Sequence, residues 1–417
     1  MLTTLKNAWH VPELRKKILY TLLMLLIYRL AGVIPIVGVN TGAISSALES
    51  NGLLGFLGMM AGNQNLSNMT IMAMGIMPYI NASIIMQLLT YAIPALERLQ
   101  KEGGEEGRKK IAGITRYVTV AIGFIMAIGL VYGLGANVES NWYSPFVIGL
   151  SMAAGSALAM WIGERITENG IGNGISLLIF CGIVSNLFLW AVQGVRGLFT
   201  GMATTWWQIL SVVIVALVMI VAITFVNRGE RRISVQYAKK VVGRKMYGGQ
   251  STHIPLKVDS AGVLPVIFAS SFTQFPGIIF SFFAGSGIAL WWNNFQSGYW
   301  YQIIFALLIL AFAYFYSSIT FNPIEISRNL QQNGGIIPGT RQGRPTSDYL
   351  SRISHRIILF DGIFLALLAI IPSLVYRWIG VSMPFGGTSL LIAVSVALET
   401  IRGLESQLVM RNYKGFL

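Results

Sequence analysis

Residues 69–93, MTIMAMGIMPYINASIIMQLLTYAI, run on without a single charged side chain. As an α-helix rising about 1.5 Å per residue, such a run is long enough to cross a hydrocarbon core roughly 30 Å thick. Reading outward from it finds nine more, giving ten candidate spans near 18–37, 69–93, 112–134, 146–163, 174–193, 207–227, 260–285, 299–321, 357–376 and 385–401. Composition agrees. Of 417 residues 54% are hydrophobic and 11% charged, with a mean hydropathy of +0.64, whereas about a quarter of a soluble chain is charged. The single cysteine excludes an intramolecular disulfide, and three scattered histidines leave no Cys/His cluster spaced for zinc or iron.

A net charge of +14 would suit a nucleic-acid binder, but the 30 basic residues obey a different rule. All but Arg29, Arg116, Arg196 and Arg377 fall in 1–17, 94–111, 164–173, 228–257, 322–356 or after 401, which share one side if the spans alternate. The positive-inside rule therefore predicts both termini in the cytoplasm. Lys6, Arg15, Lys16 and Lys17 before an apolar run imitate a secretory signal, but the run is long, contains Arg29 and lacks an A-x-A-like cleavage site. It is read as span 1. Ten spans divide into halves, 1–195 and 196–417, whose first spans run in opposite directions, as in an inverted repeat.

Three segments do not fit a plain bundle. Residues 40–68 carry no Lys or Arg and contain the apolar run Leu53 to Gly62, which as a helix covers about 15 Å, half a membrane. It is either re-entrant, able to block a pore, or an external hairpin capping the bundle, and such loops are more commonly the latter. On the basic side, 228–257 and 322–356 are too long for plain connections. The first reads as a hairpin of short strands around Gly243 bearing Arg231, Arg232, Lys239, Lys240, Arg244 and Lys245. Its charge fits an acidic partner and anionic lipid headgroups equally well.

Catalytic signatures are missing: no P-loop, no H-E-x-x-H and no G-x-S-x-G occur, and GIGNG at 170–174 begins a span instead of following a Rossmann strand. The acids in the spans, Glu164, Asp259, Asp361 and Glu399, sit near the ends, which disfavours an ion-coupled solute carrier with inverted repeats. Arg29, near mid-depth of span 1, is expected to face the protein interior, where a backbone carbonyl can satisfy it.

Seven ordered stretches carry a resemblance over nearly the whole chain: YRLAGVIPIVGV (28–39), MGIMPYINASIIMQLL (74–89), LQKEGGEEGRKKI (99–111), TENGIGNGISLLIF (167–180), YGGQSTHIPLKVDSAGVLPVIFASS (247–271), NPIEISRNLQQNGGIIPGTRQG (322–343) and GGTSLLI (386–392). Together they resemble the SecY family of protein-conducting channels, in its bacterial form. That resemblance implies an all-α polytopic membrane protein of the bacterial cytoplasmic membrane, with ten transmembrane helices in two inverted five-helix halves. A short re-entrant plug helix would lie in 41–66, turning the preference for an external hairpin around.

The resemblance further implies a non-enzymatic channel without cofactor, through which unfolded secretory polypeptides cross the membrane and hydrophobic segments leave sideways into lipid. A mid-membrane ring would be formed by Ile76, Ile80, Ile175, Ile179, Ile267 and Ile392, a collar of branched aliphatics that dewets and stops ions. The plug would present Leu53, Leu54, Phe56, Leu57, Met59 and Met60. A lateral gate would set Asn81, Ser83 and Gln87 against Ser270, Ser271, Thr273 and Gln274, polar groups that are costly at that depth unless paired. The partners implied are SecE, SecG, the SecA motor ATPase and the ribosome, beside signal-bearing substrates and anionic lipid. The motor and ribosome would be met by Arg231, Arg232, Lys239, Lys240, Arg244, Lys245, Arg341 and Arg344, with Arg341 at the tip of the second loop. One departure is local: Ser327 and Arg328 stand where the family pattern leads one to expect an alanine and an acidic residue.

Overall fold

The computed structural model describes residues 9–36, 69–134, 143–200, 206–237, 240–242, 245–247, 251–259, 262–281, 287–296, 298–379 and 387–414. A helix coincides with each of the ten expected spans. In chain order the elements are α1 (Pro12–Ala31), α2 (Met77–Ala92), α3 (Pro94–Glu102), α4 (Gly104–Leu134), α5 (Ser144–Asn169), α6 (Gly174–Thr200) and α7 (Trp206–Arg228). Strands β1 (Glu230–Tyr237), β2 (Lys240–Val242), β3 (Lys245–Tyr247) and β4 (Ser251–Lys257) follow, then α8 (Leu264–Ser281), α9 (Gly287–Gln296), α10 (Tyr299–Thr320), α11 (Pro323–Gln332), β5 (Gly335–Ile336), α12 (Arg344–Ile379) and α13 (Gly387–Lys414). Among the described residues α4, α5, α6, α7, α10 with α11, α12 and α13 are long and apolar enough to cross a membrane, and α2 with α3 qualifies as a pair bent by 103°. The bend has a local cause: Pro94 pushes Ile93 into extended backbone (φ −106°, ψ 113°), which a helix cannot continue.

The chain packs as two compact units. The first comprises Met1–Leu210, Ser271–Tyr301 and Ser382–Leu417. Within it α4 lies along α5 and α2, and α6 packs on both α5 and α13. The GIGNG stretch is the tight turn between α5 and α6. Gly172 adopts φ +67°, and Asn173 caps the new helix by accepting from the amides of Ile175 (3.1 Å) and Ser176 (3.4 Å). Thr21 of α1 accepts from the Ile171 amide (3.2 Å), and Leu14, Ile171 and Leu404 form a buried cluster that ties α1, this turn and α13 together.

The second unit, Ser211–Ser270 and Gln302–Val381, contains an extramembrane module. β1 pairs antiparallel with β4 from Glu230↔Lys257 to Gln236↔Ser251, and its other edge takes β5 through Gln236↔Ile336 and Tyr237↔Gly335. Inward residues Ile233, Val235 and Leu256 meet Leu330, Ile337 and Leu350 in one core, so the two long basic loops fold on each other. The hairpin expected around Gly243 is β2 against β3. At the start of α11, Asn322 accepts from the amides of Ile324 (3.2 Å) and Glu325 (3.3 Å), with Pro323 following it in the first turn. Asn322→Ala is expected to weaken that helix by about 1 kcal/mol, read as faster amide hydrogen exchange over 324–332; unchanged exchange would deny the cap its role.

Candidate functional site

Irregular backbone at membrane depth survives only when its polar groups are satisfied inside the protein. Residues 69–76 meet that condition. The amides of Ile36 and Ile71 donate to the carbonyls of Met69 (2.9 Å) and Ile34 (3.0 Å), while those of Ala73 and Gly75 donate back to Thr70 (2.8 Å) and Met72 (2.9 Å). Met69, Met72, Met74, Ile76 and Met77 are all at most 2% exposed. Gly75 takes φ +52°, a conformation that favours glycine, and so turns the chain into Ile76, the residue that precedes α2. Across from this segment, α5 passes so close that a Cβ on Gly155 would overlap the Ile71 carbonyl.

The segment fixes Ile76 and, one turn on, Ile80; both are buried. Ile175 and Ile179 lie one turn apart near the start of α6, the first half-buried against Gly163 of α5 and the second buried. Ile392 is buried on α13. Five of the six expected ring residues thus belong to the first unit, four within α2, α6 and α13 and Ile76 just before α2, and α6 touches α13 directly. Ile267, on α8, is half-buried in the second unit. The expected plug residues, Leu53, Leu54, Phe56, Leu57, Met59 and Met60, lie outside the described residues.

The expected gate residues are more varied. Asn81 is 1% exposed; its Nδ2 donates to Met126 Sδ on α4 (3.6 Å), while its Oδ1 has no hydrogen-bond partner among the described residues. The buried Ser271 Oγ is equally without one. Ser83 is half-buried and Gln87 exposed. Ser270 donates to the Ile267 carbonyl (2.8 Å), and Thr273 hydrogen-bonds Tyr301. The side chain of Gln274 lies outside the described residues.

On the extramembrane module the tip of the second loop is rigidly built. Gly339 and Gly343 adopt φ +86° and +88°. Thr346 donates to the Arg341 carbonyl (2.7 Å), Ser327 to that of Gly343 (2.7 Å) and Gln342 to that of Gly335 (3.1 Å). The backbone at Arg341 is pinned while its side chain is exposed, as is that of Arg344. Arg231 and Arg232 are exposed on β1, with Arg232 paired to Glu230 (2.6 Å). Lys240 and Lys245 stand in β2 and β3, whereas Lys239 and Arg244 lie outside the described residues.

Two features had no usable sequence signal. Arg29 is satisfied, as expected, by a backbone carbonyl: its Nη2 donates to the Cys181 carbonyl and its Nε to Cys181 Sγ (3.3 Å). Nothing in a span of α6 marks Cys181 as that partner. The addition of β5 to the β1 edge joins residues a hundred positions apart, and no local pattern announces it.

Comparison with known proteins bears on this architecture directly. The SecY family profile matches residues 70–401. The Protein translocase subunit SecY of Streptomyces galbus is 43% identical, and that of Mycobacterium bovis 42%, each alignment covering the whole of both chains. Among solved structures, a protein conducting channel superposes with a TM-score of 0.69 at 19% identity, covering 95% of this chain and 93% of that one. Sec61 in the canine ribosome-channel complex from the endoplasmic reticulum superposes at 0.65 and 18%, covering 95% and 93%.

Proposed function

The chain belongs to the SecY family, and from that premise we infer that it is the channel subunit of a protein translocase, a multi-pass membrane protein that conducts unfolded polypeptide. The observation that carries this reading is the full-length identity of 43% to a translocase subunit. The pore runs past Ile76, Ile80, Ile175, Ile179, Ile267 and Ile392, a reading supported by the absence of any charged side chain in this set. It is tested by placing a photoreactive side chain at Ile80 or Ile179 and stalling a secretory chain in transit. Adducts at both positions are expected; no adduct at either, while transport proceeds, would move the pore elsewhere.

The gate opens between α2 and α8. Asn81 Oδ1 and Ser271 Oγ, buried without partners among the described residues, support this, because a group left unsatisfied in the closed state gains hydrogen bonds when water or substrate enters. Leu53 to Gly62 forms the plug, and the two halves, 1–195 and 196–417, are related as an inverted repeat. The protein resides in the bacterial cytoplasmic membrane with both termini inside, SecE and SecG beside it, and its basic face toward anionic lipid. The rigid loop presenting Arg341, with Arg344 and the basic residues of β1 to β3, receives the SecA motor or the ribosome, which supply the energy. Arg341→Glu is expected to reduce SecA-driven transport severely while the thermal unfolding temperature stays unchanged, since the side chain is exposed and only its backbone is structural. Normal transport by this variant would sink the assignment.

A further inference from the structure

Between α11 and the first turns of α12 the extramembrane module holds a cleft of about 520 Å³, lined by Ile324, Ser327, Arg328, Gln331, Gly343, Arg344, Ser347 and Asp348. Its size is that of a small-molecule site. Arg328 and Arg344 enter it from facing helices, and among the described residues neither makes an ion pair. Ser347 is 9% exposed, yet its hydroxyl has no hydrogen-bond partner among the described residues and lines the cleft. Opening onto the cleft, that hydroxyl is left to water and is available to a ligand as donor and acceptor. The cleft also sits at the N-terminal end of the 36-residue α12, where the helix dipole favours an anion.

Two exposed guanidiniums with no ion pair among the described residues, an open hydroxyl and a helix N-terminus share one preference, a phosphate group held by forked hydrogen bonds. Asp348, the one acid in the lining, makes no ion pair among the described residues either; it would repel a second phosphate but accept hydrogen bonds from ligand hydroxyls. We propose that this cleft binds the phosphate of a hydroxylated molecule, with Arg328, Arg344 and Ser347 on the phosphate and Asp348 on the hydroxyls. A soluble metabolite and a lipid headgroup both offer that chemistry. The position favours the soluble source: Ser347 precedes the expected start of the span at 357 by ten residues, about 15 Å of helix.

The test is calorimetric titration of the full chain, purified in neutral detergent, with AMP and with inorganic phosphate. Saturable AMP binding displaced by inorganic phosphate is expected. Arg328→Glu or Arg344→Glu should weaken it roughly tenfold or more, the equivalent of one charge-assisted hydrogen bond. Asp348→Asn should weaken AMP but not phosphate, and Lys109→Glu, exposed on α4 outside the lining, should change nothing. Repeating the AMP titration in phosphatidylcholine nanodiscs with and without phosphatidylglycerol separates the sources: competition by the anionic lipid assigns the site to headgroups, and its absence to soluble ligands. No saturable binding of either probe, or equal weakening by Lys109→Glu and Arg328→Glu, would overturn the proposal.

Discussion

Gly155→Leu is expected to leave almost no folded protein in the membrane. A Cβ at this position would overlap the carbonyl oxygen of Ile71, and backbone cannot swing aside as a flexible side chain can. Ile71 cannot retreat either. Its amide is bonded to the Ile34 carbonyl, and the neighbouring Met69 and Met72 are fully buried. Nor can α5 move away as a unit, because Met152, Ser156 and Ala159 on the same helix are buried within 1% of complete. Overpacking a core with side chains alone costs about 1–3 kcal/mol, and whole domains are stable by only about 5–15 kcal/mol. A forced backbone displacement that also breaks the hydrogen bonds holding residues 69–76 should exceed what this unit can absorb. Gly113→Ala, on α4 with nothing within 4 Å of the added methyl, is the matched control and should be neutral or slightly stabilising. The measurement is the yield and thermal unfolding of detergent-extracted protein. A Gly155→Leu chain as stable as its parent would show that the close approach of α5 to residue 71 does not exist.

The second large effect concerns the seal. Changing Ile76, Ile175 and Ile392 together to serine should make membranes containing the protein leak ions in the absence of any translocating chain. Three hydroxyls in place of three branched aliphatics would give water hydrogen-bonding groups along the proposed constriction and remove the reason for it to dewet. A barrier lowered by only ~1.4 kcal/mol already raises the ion flux about tenfold. Ile76 and Ile392 are buried, so the variant is less stable as well as leakier. Changing the same three residues to valine keeps the collar apolar with a smaller loss of packing and should keep the membrane tight. Single-channel conductance in planar bilayers distinguishes the two. Serine and valine variants with equal conductance would remove these residues from the barrier.

Much of this arrangement is legible in the chain as written. The ten helices occupy the expected runs because span length and apolarity are properties of consecutive residues, and the bend at Ile93 follows from the single proline after it. Seven motifs in order suffice to place the family. The site is less legible. The ring residues can be carried over by motif, yet the reason Ile76 is held in place is the left-handed Gly75 together with Gly155, eighty positions away on α5. Likewise GIGNG, which imitates a phosphate loop on paper, is a helix-to-helix turn capped by Asn173 and bolted to Thr21 of α1.

What the sequence alone determines is therefore local: which segments are apolar enough to cross a membrane, where charge places the loops, and where Asn, Pro and Gly start and stop helices. What only the tertiary structure decides is which surfaces meet: Arg29 with Cys181, Gly155 with Ile71, β5 with the edge of β1, and two arginines from different helices in the lining of one cleft. The difference is physical. Hydropathy, capping and proline geometry act within a helical turn or along one span, and so are written in adjacent residues. Close packing and the pairing of polar groups depend on which distant segments come together, and no stretch of chain carries that information by itself.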